Sequence, residues 1–264
     1  MEIIVLVFMM VMGAVMGSFA CCQVWRMRYR QEGKKKLGKW SVCLECGKKL
    51  EWYDNIPVVS WVMLRGKCRK CGKKIGVMEI LSEVGMGVVF GLIWWYFRGS
   101  FGISGGEVDF RGVGEMVVLL MMMVGMWILL LYDAKWGEMP TAVLYFCVGM
   151  GVIYRVVAGV DDWMSLVFGI VILAGLYFLL YVGSRERLMG AGDWILCLAI
   201  ALVLGNWWLA LIELFVANML GSVVMLPVAV KTKKHKIHFA PFLIIGFLIV
   251  FMLQDFLIGI VAVH

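Results

Sequence analysis

Long apolar stretches separated by short polar breaks organise the 264-residue chain. A bilayer core about 30 Å thick needs about 20 apolar residues in a helix. On that measure the pattern predicts membrane helices over 3–24, 77–97, 116–132, 139–154, 163–182, 207–230 and 239–263. A further apolar piece, 194–204, would be only about 16 Å long as a helix, too short for an unthinned bilayer. Gly192 and Asp193 precede it, and Gly205-Asn206 follows as a turn signal. Short helices persist in membranes where they line a polar cavity. The one long polar interruption is 26–78. The expected fold is therefore an all-α polytopic membrane protein of about eight helices, one of them short, with a loop domain between the first two. The expected division is a first membrane helix (1–25), the loop domain (26–78) and a multi-helix domain (79–264). No internal repeat is apparent. The first helix lacks a basic n-region and a clear cleavage site, so it reads as a retained membrane helix and not a signal peptide.

Composition agrees with this reading. The chain is 63% hydrophobic and 16% charged, with a mean hydropathy of +0.92, which excludes an ordinary soluble domain. The net charge of +7 does not point to nucleic acid, because 15 of the 25 Lys and Arg fall within 26–78, against four acids. One basic loop between membrane helices is a topology signal that places it at the cytoplasmic face. Alternation then puts 133–138, 183–192 and 231–238 on the same face, and KTKKHKIH (231–238) agrees. The loop's charge also suits anionic lipid headgroups.

Inside that loop, Cys43-x-x-Cys46 and Cys68-x-x-Cys71 bring four thiolates together. Zn²⁺ takes four sulfurs tetrahedrally, and such a site staples a loop that has little core. Structural disulfides are disfavoured on a cytoplasmic loop. A complete thiolate set leaves no open position, so the expected zinc is structural. Cys21, Cys22, Cys147 and Cys197 lie in apolar runs and read as small buried residues.

Ionisable groups within membrane spans are costly and point to function. Asp133 ends the third predicted helix in LLLYDAKWGEMP, and Asp193 follows Gly190-Ala191-Gly192 at the start of the short piece. Simple readings exist for both: a helix cap for Asp193, a solvated loop residue for Asp133. Glu79 and Glu83 read as interfacial charges paired with nearby lysines. Glu213 and Asp255 interrupt later helices and would suit a transporter or proton relay. What separates Asp133 and Asp193 is that both fall at helix ends on one face. Two adjacent carboxylates share a proton. One can then act as general base on water while the other protonates a leaving amine. Gly190 and Gly192 would let a peptide lie close to the backbone. A catalytically inactive assembly scaffold is the third reading.

In chain order these motifs resemble one family. GSFACCQVWR (17–26) is similar to GSFxNVxIxR, and the cysteine loop with DNIPVVSW (54–61) between its pairs resembles a zinc-type insertion. Asp133 through Pro140 is similar to D-x6-P, GAGD (190–193) to GxGD, and KIHFAPFL (236–243) to IPFGPFL. The pattern resembles the prepilin peptidases, membrane aspartyl proteases of the GxGD type. The resemblance implies that Asp133 and Asp193 are catalytic and that Gly190, Gly192 and Pro140 belong to the substrate site. It implies cleavage of the short basic leader of type IV prepilins or pseudopilins at the cytoplasmic face of the bacterial inner membrane. It also implies N-methylation of the new N-terminus with S-adenosylmethionine. A grip on the leader by Lys34–Lys36 is an alternative to a purely orienting role for the basic loop, and it has to work against the repulsion between like charges. The sequence departs from the family at Ile195, where Lys is usual, at Cys21 for Asn, and at His238 and Ala240 for Pro and Gly.

Overall fold

A computed structural model of the chain describes residues 2–33, 40–101, 107–160, 162–184, 190–232 and 238–262, without the side chains of 226–232 and 261–262. Lys34–Lys36 and most of the KTKKHKIH run lie outside the described residues. The elements are helical: α1 (Glu2–Gln31), α2 (Val59–Met63), α3 (Val77–Phe97), α4 (Phe110–Trp136), α5 (Thr141–Ala158), α6 (Trp163–Ile170), α7 (Leu176–Ser184), α8 (Ala191–Leu204), α9 (Trp207–Thr232) and α10 (Ala240–Ala262). Helices α6 and α7 run on through one π-helical turn, Val171–Gly175. Among the described residues, seven helical stretches are long and apolar enough to cross a membrane, and α8 is a shorter apolar helix. The chain is thus a multi-pass, all-α membrane protein. Contacts divide it into two compact units, Met1–Gly106 and Glu107–His264.

In the first unit, α1 packs along α3 through glycine. A Cβ on Gly13 would lie 2.5 Å from the Met86 carbonyl oxygen, and one on Gly87 would lie 2.9 Å from that of Met10. Gly17 rests on the backbone of Ser82 and Glu83, and the Ser82 hydroxyl donates to the Gly17 carbonyl at 2.8 Å. Gly13 and Gly17 form one GxxxG and Gly87 and Gly91 another, a spacing that lets membrane helices approach closely. The motif beginning at Gly17 is therefore a packing surface.

Among its described residues, the loop between α1 and α3 has almost no apolar core. Two knuckles of like geometry carry the cysteines. The Cys43 N–H donates to Lys48 and the Gly47 N–H to Cys43, as the Cys68 N–H does to Lys73 and the Gly72 N–H to Cys68. Gly47 and Gly72 both sit at φ +68°, a conformation glycine adopts without strain. The sequence mirrors this: CLECGKK (43–49) and CRKCGKK (68–74) are a short internal repeat. The expectation of no repeat fails here because the unit is only seven residues long. Trp61 is packed beneath Gly66, where a Cβ would lie 2.8 Å from the indole. Glu83 does not serve a lysine. It is buried, and its Oε2 accepts the Val58 N–H at 2.7 Å.

In the second unit, α4 packs on α5, α5 on α8, and α9 on α10. Met122, Met126, Leu129, Leu196, Ile200 and Phe247 form a core at 0% exposure. The C-terminus of α8 is closed by Arg155 of α5, which donates to the Leu202 and Val203 carbonyls. A cation at a helix C-terminus also meets the favourable end of its dipole. Helix α8 is 14 residues long, about 21 Å, somewhat longer than expected because it starts at Ala191.

Glu213 stands apart in this unit. It is 0% exposed, and neither carboxyl oxygen has a hydrogen-bond partner. Gly246 of α10 makes room for it, a Cβ there falling 3.0 Å from Oε1. An unpaired buried polar group destabilises the fold by about 1–3 kcal/mol. Glu213→Leu is therefore expected to raise the thermal unfolding midpoint of the detergent-solubilised protein. A lower midpoint would show that the carboxyl is satisfied, for instance by an internal water.

Candidate active site and metal centre

The sequence places Asp133 at the end of a helix; the structure places it inside one. Helix α4 continues to Trp136 and ends at Gly137, whose φ of +66° and N–H bond to the Asp133 carbonyl form a left-handed C-cap. Asp133 thus occupies the last turn of α4, 4% exposed, and is not a solvated loop residue. Its Oδ2 accepts the backbone N–H of Ala240 at 3.2 Å. Ala240 is the first residue of α10, so the carboxylate sits at a helix N-terminus, where free N–H groups and the dipole favour negative charge. His238 lies alongside: its Nδ1 donates to the Asp133 carbonyl and stands 3.9 Å from Oδ1.

Asp193 occupies the first turn of α8 and is 5% exposed. Its Oδ2 accepts the Gly190 N–H at 3.1 Å, half of a capping box. The simple reading as a cap is therefore correct for one oxygen. The other, Oδ1, is buried without a hydrogen-bond partner. The two carboxyls are within electrostatic reach of each other. The fold brings the pair together from helices 60 residues apart in sequence.

Neither Gly190 nor Gly192 uses positive φ, so conformational freedom is not what is required of them. Gly192 provides space: a Cβ there would meet the Met139 side chain at 2.7 Å. The loop after α4 is thereby drawn against the start of α8. Pro140 follows Met139 as the N-cap of α5, and its carbonyl accepts from Val143 and Leu144. Ile195, two residues past Asp193, is buried and apolar.

Other polar groups lie behind the pair. Cys197, one turn beyond Asp193, and Tyr177 are within electrostatic reach of both Asp193 and Glu213. The Tyr177 hydroxyl accepts a hydrogen bond from Asn218 at 2.9 Å. Asp255 is exposed on α10, about 22 Å along the helix from Ala240. The four acids that a relay would need are thus not assembled at one place.

In the first unit, the sulfurs of Cys43, Cys46, Cys68 and Cys71 lie within 4.8 Å of one another, and no disulfide joins them. A tetrahedral zinc–thiolate site has S···S edges of about 3.8 Å, so the set fits a metal ion with small adjustment. Backbone N–H groups of Cys71 and Lys70 lower the Cys68 thiol to about 6, while Cys71, despite the Lys73 N–H, is raised to about 11 by desolvation and the neighbouring thiols, as like groups sharing one site must be. Of the cysteines in apolar runs, Cys21, Cys147 and Cys197 are buried and Cys22 is half-buried.

Two contacts to Asp133 were not read from the sequence: the His238 ring and the Ala240 N–H. The late motif KIHFAPFL was the available signal, but nothing local to it indicates which residue it meets.

Residues 11–97 match the bacterial peptidase A24 N-terminal domain, and residues 120–230 match the type IV leader peptidase family. A prepilin leader peptidase/N-methyltransferase of Neisseria gonorrhoeae is 29% identical over 222 residues, covering 81% of this chain and 71% of the relative. One from Pseudomonas aeruginosa is 25% identical over 262 residues, 89% of this chain and 86% of the relative. No solved structure matches the chain. With both domains of one peptidase family matched in order, and the carboxyl pair falling in the second, the chain belongs to the type IV leader peptidase family of membrane peptidases.

Proposed function

We propose that this protein is an aspartyl endopeptidase that removes the short basic leader from type IV prepilins or pseudopilins at the cytoplasmic face of the bacterial inner membrane. The observation that carries this reading is the pair of buried carboxyls, Asp133 in the last turn of α4 and Asp193 in the first turn of α8, each accepting a backbone N–H. The family and the names of its relatives supply the substrate class. The concentration of Lys and Arg in 26–78 supports the orientation.

The unequal surroundings of the two carboxyls suggest their roles. Asp133 has the donor at the start of α10 and serves as the ionised member, the general base. Asp193 has an oxygen with no donor and carries the proton. Asp133 takes a proton from water as the water oxygen attacks the scissile carbonyl. Asp193 delivers its proton to the leaving amine as the C–N bond breaks. Gly190, Gly192 and Pro140, which shape the backbone beside the pair, are proposed to border the substrate. The substrate must widen this closed arrangement to reach the carboxyls.

Cys43, Cys46, Cys68 and Cys71 would hold a structural Zn²⁺ that stabilises the loop in place of an apolar core. N-methylation is carried over from the relatives' names; S-adenosylmethionine as the methyl donor comes from the family resemblance, and no residue here is assigned to it. Failure to transfer a labelled methyl group to cleaved prepilin would remove that activity.

Asp133→Asn and Asp193→Asn are each expected to lower prepilin cleavage in liposomes by ~10²-fold or more with folding intact. Substantial cleavage by either variant would remove that residue from the pair, and no cleavage by the unaltered protein would reject the substrate class. Ala240→Pro tests the partner of Asp133 alone, because Pro is accommodated at the first position of a helix but has no N–H. Its kcat is expected to fall by about 10–100-fold with KM nearly unchanged; an unchanged kcat would make this bond dispensable. For the metal, elemental analysis should find one zinc per chain. Cys46→Ala is expected to lose it and expose the loop to protease, and full metal retention would reject the four-sulfur site.

A further inference from the structure

Residues 52–63 present an apolar surface that nothing among the described residues covers. Val59, Val62 and Met63 stand on one face of α2, at spacings of three and four residues, and are 50%, 58% and 76% exposed. Trp52, 76% exposed, and Ile56 precede them. A patch of this size on a soluble domain marks an interaction site.

The height of the patch follows from one hydrogen bond. Glu83, whose Oε2 accepts the Val58 N–H at 2.7 Å, lies six residues into α3, about 9 Å along a membrane span. Helix α2 therefore begins beside the first two turns of a helix that crosses the bilayer, and does not project into water. Val58 is held at φ +62°, a conformation costly for a β-branched residue. Such strain persists only when neighbouring contacts enforce it, and the buried Glu83 carboxyl is that contact.

Charge identifies the occupant. Residues 40–76 carry eight Lys and Arg against three acids. Two of those acids are paired within the loop, Asp54 with Arg69 and Glu45 with Lys73. Apolar and aromatic side chains backed by excess cation match the headgroup layer of an anionic bilayer. A single turn of helix binds a membrane weakly on its own, but here the Glu83 contact and two flanking membrane helices remove most of the entropic cost of bringing it there. We propose that α2, with Trp52 and Ile56, is seated in the headgroup layer of an anionic bilayer surface, pinned at that depth by Glu83, and holds the cysteine module against the membrane. The inference does not depend on the proposed peptidase chemistry.

The test places a photo-crosslinking amino acid at Met63 of the full-length protein. The protein is reconstituted in nanodiscs of phosphatidylcholine with or without phosphatidylglycerol, and the adducts are read by mass spectrometry. The expected product is a lipid adduct whose yield rises several-fold with phosphatidylglycerol. An adduct to protein, from this chain, a second copy or a partner, would overturn the proposal. So would the absence of a lipid adduct, or a yield indifferent to phosphatidylglycerol. In the same assay Glu83→Leu should cut the lipid yield several-fold while the loop keeps its metal content. An unchanged yield would overturn the pinning role.

Discussion

Within hydrocarbon no water completes a hydrogen bond, so every polar group carried into the bilayer must find a partner in the protein. Helices satisfy their own backbones except at their ends, and the second unit is organised around those ends. Arg155 takes the carbonyls left open at the C-terminus of α8. Asp193 takes the Gly190 N–H at the other end of the same helix, and Asp133 takes the Ala240 N–H that opens α10. The carboxyl pair is thus part of how two membrane helices are terminated. That is a reason for it to be well positioned: moving either Asp would leave a helix end unpaired in a medium that offers nothing else.

The same accounting shows where function departs from stability. One oxygen of Asp193 and both of Glu213 remain without partners in a dry interior. Asp133 is supplied with a donor and Asp193 is not fully supplied, and this asymmetry lets two identical functional groups take opposite parts in acid–base chemistry. Glu213 lies deeper, against a glycine of α10, as a polar group the fold carries at a loss.

The first unit meets a different shortage. Its loop buries few of its apolar side chains among the described residues, so cysteine knuckles, Trp61 beneath Gly66 and the buried Glu83 hold it in place of a core. The close approach of α1 and α3 is made through glycines, where the absence of a side chain lets backbone meet backbone.

How much of this was legible varied with the range of the interaction. Apolar run length determined the seven helices of membrane-spanning length among the described residues and the short α8, because the thickness of hydrocarbon sets a length that can be counted along the chain. Cysteine spacing determined the candidate metal ligands, since each knuckle closes over only a few residues. The CxxCGKK repeat and the two GxxxG pairs were equally legible and required only a closer reading. Helix ends were less so. Asp133 was expected at a boundary, but the C-cap at Gly137 lies four residues on. Only the tertiary structure decided what surrounds each carboxyl. Asp133 meets His238 and Ala240 from 105 and 107 residues away, Gly192 meets Met139, and Glu83 meets Val58 and not a lysine. Local sequence specifies which groups are polar and where a helix can form; which partner satisfies them depends on helix packing, a sum of many distant contacts that no short motif encodes.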